Sequence, residues 1–431
     1  MESTKKILSR IKKKKIKIGI VGLGYVGLQL AKTFLLSGHE IYGFEKDKKK
    51  INFIKKKKSY INYIKDSEIK KMFNKKFKIE NNFSHINLVD VIILCLPTPI
   101  KNKNVPDISI IKQVMKSIKR YLKPSQILIL ESTTFPGTTE EILLPMIRDK
   151  FIVGKNFFMV YSPEREDPAN LKYNLNKTPK IVSGVTSNCL KLGECIYNSA
   201  NIDTVPVNST RVAETSKLLE NTYRSVNIAL VNQLKNFCEK LNINVFDVID
   251  AAKTKPFGYQ AFYPGPGYGG HCIPIDPHYL FWKAKKLGVD LNFISLASKI
   301  NDNMPFLVVK KIINFFKKNK KKLKSILVIG AAYKKNVNDT RNSPALKIIE
   351  QLNKAKIKVN YFDPLIKSIK IKKKIYVSER LTKSIISKTD AVILVTDHDK
   401  IDYKLLLNSS KILFDARGKF RNKLSNKVKY V

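Results

Sequence analysis

The chain has no apolar run long enough to cross a bilayer, which takes about 20 consecutive apolar residues. Its N-terminus, Met1 to Lys15, is rich in lysine and lacks the apolar core of a secretory signal, so it does not read as a leader. Cysteine is sparse. The five residues Cys95, Cys189, Cys195, Cys238 and Cys272 are scattered, odd in number and contain no CxxC pair. That pattern argues against a disulfide framework and a zinc site, and no metal is expected. Together these absences predict a cytoplasmic protein with reduced thiols and no membrane partner. Acidic residues are also few: 35 against 81 basic ones, for a formal net charge of +46. Arginine is scarce, so the excess is almost all lysine, in runs such as Lys12–Lys15, Lys55–Lys58 and around Lys317–Lys322. A nucleic-acid partner is disfavoured, because arginine is the better base reader. Diffuse lysine reads as solvated surface that draws anionic ligands such as nucleotides inward.

What is present is an α/β chain of 431 residues, 43% hydrophobic, enough for two to three domains. Ile16–Val21 is an apolar run leading into Gly22-Leu23-Gly24-Tyr25-Val26-Gly27. A helical pattern follows through Leu28, Ala31, Phe34 and Leu35, stopped by Gly38, and Glu40–Phe44 reads as a second strand ending at Glu45. This is a βαβ start with a GxGxxG turn. Gly22 permits the tight turn, Gly24 lets a pyrophosphate approach the backbone, and Gly27 lets helix and strand pack closely. Phosphates would meet the helix N-terminus. Glu45 can accept hydrogen bonds from both ribose hydroxyls, which favours NAD over NADP. Further buried strands are expected at Val89–Leu96, Ile127–Glu131 and Phe157–Tyr161, with polar loops at their carboxyl ends, where ligands of such sheets sit.

From Ser209 to about Leu241 the pattern is helical, without glycine or proline. It is long enough to bridge domains or form a subunit interface. A Gly/Pro-rich loop follows at Phe257–Pro277, then more helix to about Lys320. A second α/β unit begins at Ile326–Ile329, with later strands at Val359–Phe362 and Ala391–Val395. The expected domains are a basic extension (1–15), a NAD-binding Rossmann domain (16–205), a central helical domain with the cysteine loop (206–320), and a second Rossmann-like domain (321–431).

The loop Gly265-Pro266-Gly267-Tyr268-Gly269-Gly270-His271-Cys272-Ile273-Pro274-Ile275-Asp276 sets a single thiol among glycines. A loop without bulky side chains lets a substrate come close, and a thiol can hold a covalent intermediate. A lone cysteine is more often a small core residue, but a core cysteine does not need such neighbours. Asp276 can act as a base for water or orient it, and His271 reads as a packing or hydrogen-bonding residue. Lys217 and Asn221 lie i, i+4 on one helix face. A lysine can stabilise an alkoxide or accept a proton, although this chain has many surface lysines. Glu164 lies at a strand end, where catalytic groups collect.

Several motifs in order carry a resemblance: GLGYVG (Gly22–Gly27), LPTP (Leu96–Pro99), ESTTFPG (Glu131–Gly137), YSPERE (Tyr161–Glu166), ETSKLLENTYR (Glu214–Arg224), GYGGHCIPID (Gly267–Asp276), INDNMP (Ile300–Pro305), AYKKNVNDTRNSPA (Ala332–Ala345) and DARG (Asp415–Gly418). With these the chain resembles the UDP-glucose/GDP-mannose dehydrogenase family from about Ile16 to Arg417. The runs SPEREDP, PKIVSGVTS and KPFGYQAFYPGPGYGGHCIPIDP look most similar to members acting on UDP-N-acetylhexosamines, UDP-N-acetylglucosamine in particular.

The resemblance implies two Rossmann-like doubly wound domains joined by a long central helix, which would form the core of a homodimer or larger homo-oligomer. It implies Cys272 as nucleophile, Lys217 and Asn221 as oxyanion stabilisers, Asp276 in proton transfer, and Thr133 and Glu164 holding a catalytic water. NAD would be held by Gly22, Gly24, Tyr25, Val26, Gly27, Glu45, Pro97, Thr98 and Ser132. The UDP-sugar would be held by Arg165, Lys217, Gly269, Lys334, Arg341 and Arg417. The implied reaction is a four-electron oxidation at C6 with two NAD, through a thiohemiacetal and a thioester, supplying surface polysaccharide. Gln29 replaces the family's usual proline, and ESTTFPG departs from the commoner STVPVG form, which leaves Thr133 and Thr134 as alternatives. UDP-glucose, UDP-N-acetylmannosamine and UDP-N-acetylgalactosamine remain rival substrates. A two-electron dehydrogenase, or a basic nucleic-acid-binding protein on a decayed scaffold, would leave the cysteine loop unexplained.

Overall fold

A computed structural model describes residues 3–61, 64–73, 76–101, 104–165, 177–422 and 425–431. The chain divides into two compact units. One comprises Met1–Glu220 and His278–Val289, the other Asn221–Pro277 and Asp290–Val431. The glycine-free stretch forms one helix, Thr210–Lys240, and the boundary falls within it.

The first unit is built on eight strands: β1 (Lys17–Val21), β2 (Glu40–Phe44), β3 (Phe77–Glu80), β4 (Val91–Leu94), β5 (Ile127–Leu130), β6 (Phe158–Tyr161), β7 (Lys180–Gly184) and β8 (Thr204–Pro206). They lie in the order 3-2-1-4-5-6-7-8. Pairing is parallel from β3 through β6, with Ile18 facing Ile41 on one side and Val91 on the other. The runs Val91–Leu94 and Ile127–Leu130 are buried at every position, as expected of strands covered on both faces. Strand order reverses between β1 and β4, and the glycine turn sits at the carboxyl end of β1. That is the switch point at which such sheets bind ligands. β7 runs antiparallel to β6, and β8 follows β7 in parallel. Neither β3, β7 nor β8 stood out in the sequence.

The basic N-terminus is part of this unit. Ser3 caps a helix, Thr4–Lys12, whose Ile7 and Ile11 are buried in the same core as Ile18, Ile196 and Tyr197. Arg10 pairs with Asp90 at 2.9 Å. The lysines occupy the outer face of an amphipathic helix.

The second unit carries five parallel strands: β9 (Ser325–Ile329), β10 (Lys358–Phe362), β11 (Ala391–Leu394), β12 (Leu413–Asp415) and β13 (Val428–Tyr430), in the order 10-9-11-12-13. Helix Asn292–Lys318 buries Val308, Ile312 and Phe316 in a core shared with Val328, Ile348 and Phe414. Both units are Rossmann-like, and they share a device at the first strand crossing. Glu45, just past β2, accepts from the backbone N–H of Leu23 after β1. Asp363, just past β10, accepts from Ala331 and Ala332 after β9 at 2.7 and 3.0 Å. Among the described residues no helix is long and apolar enough to cross a membrane.

Candidate active site

The dinucleotide turn in the first unit fits NAD. Gly22 has φ +93°, and a Cβ there would lie 2.5 Å from the Cys95 carbonyl oxygen. A Cβ on Gly27 would lie 1.9 Å from the Gly22 oxygen. Both glycines are therefore demanded by the chain's own packing. Gly24 differs: a Cβ there meets no protein atom within 4 Å, so the bare backbone faces open space. It is the N-cap of the helix Tyr25–Leu36, whose amide groups and partial positive charge suit a pyrophosphate. Tyr25 is exposed and Val26 half-buried beside it.

Glu45 is buried and its carboxylate is fixed, accepting from Leu23 N at 3.1 Å, Asp47 N at 3.0 Å and Lys50 Nζ at 3.4 Å. With three bonds accepted, about one of its four acceptor sites remains for a ribose hydroxyl. Ser132 ties the ends of β4 and β5 together, accepting from Leu96 N and donating to the Leu94 carbonyl. Pro97 is exposed and Thr98 buried, with Tyr279 OH donating to the carbonyls of Thr98 and Pro99 at 2.9 and 3.2 Å.

Of the two candidate threonines, Thr133 is half-buried, whereas Thr134 is fully buried and its hydroxyl meets no hydrogen-bond partner among the described residues. A buried hydroxyl in that state is a place for an ordered water. The next residues are anchored by Glu214, which accepts from the backbone N–H groups of Gly137 and Thr139 and from the Thr139 hydroxyl.

Glu164 lies just beyond β6. Its Oε2 accepts from Lys180 Nζ at 2.9 Å and its Oε1 from the backbone N–H of Arg165 at 2.7 Å. Lys180 is buried and also bonds Glu131 at 3.0 Å. The Arg165 guanidinium is held by the Pro179 carbonyl and, at 2.7 Å, by Glu220. The rest of that motif, Glu166 to Pro168, lies outside the described residues. Lys217 is buried, unlike the many surface lysines.

The second unit holds the cysteine loop. Cys272 is an exposed thiol. Its carbonyl accepts from the N–H groups of Ile275 and Asp276 at 3.0 and 2.8 Å, which sets the thiol one tight turn before the helix Asp276–Lys286. Asp276 is buried and accepts from the side-chain amide of Asn221, whose own carbonyl oxygen accepts from Arg224.

The loop glycines also answer to packing within their own unit. A Cβ on Gly269 would lie 2.7 Å from Tyr333 Cβ and 2.9 Å from the Asn342 carbonyl, and one on Gly270 would lie 2.9 Å from the Tyr333 ring. A Cβ on Gly265 would lie 3.0 Å from an Arg417 guanidinium nitrogen. Gly267 lies against the Asn301 carbonyl and Pro305. The proline ring has no N–H to give to that carbonyl four residues back. These glycines let the cysteine loop lie close against Tyr333, Asn342, Arg417 and the helix that carries Asn301 and Pro305, all in its own unit. Gly270 N donates to Arg341 O, and Asn342 returns a bond to Gly270 O. Further along, Gly265 N donates to Asn232, which in turn bonds Asn301.

Arg341 is clamped by Asp339, with Nε and Nη2 at 2.7–3.1 Å from the carboxylate. Arg417 is half-buried and donates to the Val395 carbonyl. Burial pulls its guanidinium below the usual range, while Asp397 and Asp415 counter this. Lys334 is half-buried. Burial and the nearby Arg341 lower His271 from its ordinary value, against the pull of Asp339. The sequence reading missed Lys180, Glu131, Asp339, Arg224 and Asn232. Only the acid two residues before Arg341 was visible as a pattern.

Known proteins match this arrangement. Residues 16–201 match the NAD binding domain of the UDP-glucose/GDP-mannose dehydrogenase family, residues 211–303 its central domain, and residues 327–422 its UDP binding domain. The chain is 31% identical to the UDP-N-acetyl-D-mannosamine dehydrogenase of Methanococcus vannielii, over 98% of this chain and 97% of that one. It is 33% identical to the UDP-N-acetyl-D-glucosamine 6-dehydrogenase of Salmonella typhi, covering 89% and 90%. The solved UDP-D-ManNAc dehydrogenase of Pyrococcus horikoshii superposes with a TM-score of 0.85 at 29% identity, covering 96% of this chain and 98% of that one.

Proposed function

The chain belongs to the UDP-glucose/GDP-mannose dehydrogenase family, and from that premise we propose that it oxidises the C6 alcohol of a UDP-N-acetylhexosamine to the carboxylate. The single observation that carries this is Cys272: an exposed thiol on a loop seated against Arg341 and Arg417, beside the buried Asn221–Asp276 pair. NAD, when bound, accepts a hydride at each of two steps. Lys217 and Asn221 stabilise the alkoxide that precedes each hydride loss. The Cys272 thiolate adds to the aldehyde carbon, giving a thiohemiacetal, which becomes a thioester after the second hydride loss. Water then attacks the thioester carbonyl, the C–S bond breaks, and the thiolate returns. Glu164 takes the proton of that water, with Thr133 or Thr134 holding its oxygen, and Asp276 assists proton transfer. The balance is one alcohol, two NAD and one water giving one carboxylate, two NADH and three protons. Covalent capture keeps the aldehyde from escaping between the two oxidations.

The sugar is taken as UDP-N-acetylglucosamine first. Relatives named for UDP-N-acetylmannosamine, with identities near 30% over nearly the full chain, support that epimer as the second reading. The product would enter surface polysaccharide. A homodimer is supported by the long helix, whose Tyr223, Leu230 and Phe237 recur at spacings of 7 and 7 and are all exposed, an apolar seam suited to a second copy.

The test is NADH formed per molecule of each UDP-sugar by the purified protein. Two NADH with a UDP-N-acetylhexosamine support the proposal, and the sugar that turns over fastest settles the epimer. One NADH per sugar, or full turnover by Cys272→Ser, would overturn covalent catalysis.

A further inference from the structure

We propose that Lys180 is a positioning residue for Glu164, its ammonium bridging the outward carboxylate of Glu164 and the buried carboxylate of Glu131. This rests on the reading of Glu164 as the base that handles the hydrolytic water.

The reason lies in one strand direction. β7 pairs antiparallel with β6, placing Gly184 opposite Val160 and Ser183 opposite Tyr161. Continued by the same register, Lys180 falls opposite Glu164. In a parallel strand the first residue would lie at the far end of the sheet. Here it lies at the carboxyl ends, where catalytic groups sit.

The ammonium has three acceptors for its three N–H groups: Glu164 Oε2 at 2.9 Å, Glu131 Oε2 at 3.0 Å and the Pro163 carbonyl at 3.4 Å. Tyr197 OH donates to Glu131 Oε1 at 2.6 Å. Side-chain exposure is 3% for Lys180, 0% for Glu131 and 13% for Glu164. Only Glu164 has an outward face. A lone buried lysine would be costly. Glu131 supplies its counter-charge inside, so the ion pair with Glu164 leaves that carboxylate ionised and able to accept a proton.

Cys95 and Tyr197 also face the cluster. Burial and Glu131 push the Cys95 thiol and the Tyr197 phenol well above their usual values. Burial pulls Lys180 down, but the two carboxylates outweigh it and raise it. Burial pushes Glu131 up against the pull of Lys180. The Arg165 side chain is turned to Pro179 and Glu220.

The experiment compares the full chain with Lys180→Met, Lys180→Arg, Glu164→Gln and the charge-cancelled pair Lys180→Met/Glu131→Gln, following NADH against pH and the acyl-enzyme on Cys272 by mass. Without its cation, Glu164 ionises at higher pH. The acidic limb of kcat should rise by about one to three pH units in both Met variants. A first turnover of two NADH should persist, followed by thioester accumulation, and Lys180→Arg should restore the limb. If Glu164→Gln turns over normally, the reading of Glu164 itself fails. If Glu164→Gln stalls but the acidic limb of the folded Met variants stays in place, with only the melting temperature lowered, Lys180 is merely structural and the inference is overturned. The charge-cancelled pair decides the matter where Lys180→Met alone does not fold.

Discussion

Asn221 gives its side-chain amide to the buried carboxylate of Asp276, four residues beyond the exposed Cys272 thiol. The helix that carries Asn221 and the turn that carries the cysteine are therefore tied to one another by this amide–carboxylate contact. Arg224 holds the other end of the amide, which settles its orientation.

Asn221→Asp should expose the dependence on that contact. Two carboxylates would face each other in a buried place, and one must hold a proton. The melting temperature of the variant should fall further below the parent at pH 8 than at pH 5, and NADH formation at neutral pH should drop by about 10²–10³-fold. A uniform loss of stability at both pH values would show that Asp276 is not sensing the new charge.

Two glycines should respond in opposite ways to a single methyl group. Gly269→Ala places a Cβ 2.7 Å from Tyr333 Cβ, overpacking that costs about 1–3 kcal/mol; the loss is read by denaturant unfolding, together with slower alkylation of Cys272 in the displaced loop. Gly24→Ala meets nothing within 4 Å. Its stability should stay within about 1 kcal/mol of the parent, while NAD titration weakens by about tenfold or more because the pyrophosphate meets the new methyl group. A Gly24→Ala protein that binds NAD normally would remove the pyrophosphate from that turn.

His39 gives the first unit an acid-sensitive point. Burial, with a smaller contribution from Lys14, pushes the imidazole down to about 4, against the upward pull of its contact with Ser199. A histidine depressed on folding stabilises the native state only above its unfolded value near 6.5. That stability is lost as pH falls toward 4, up to about 3 kcal/mol. His39→Gln should flatten the fall in melting temperature between pH 7 and pH 4. An unchanged slope would place the acid sensitivity elsewhere.

The exposed seam on the long helix makes a further expectation about assembly. Leu230→Glu with Phe237→Glu puts two charges at its centre. Sedimentation should show the parent as a dimer and the variant as a monomer. A parent that sediments as a monomer would end the proposal that this face is an interface.

Much of the protein was legible from short-range pattern. The glycine turn after β1, the strand starts, the unbroken helix Thr210–Lys240 and the thiol loop each depend on backbone sterics or on periodicity within a few residues. Those signals do not need the rest of the chain. What tertiary structure alone decided were relations between distant residues. Gly269 meets Tyr333 across 64 positions, so the glycines of the loop answer to packing that no local window contains. Lys180 meets Glu164 only because β7 runs backwards, and in so lysine-rich a chain its composition hid it. The N-terminal lysines likewise looked like a tail until Ile7 and Ile11 were seen in the core. Sequence set the local conformations; strand direction and register, which follow from burying whole faces at once, chose which side chains met.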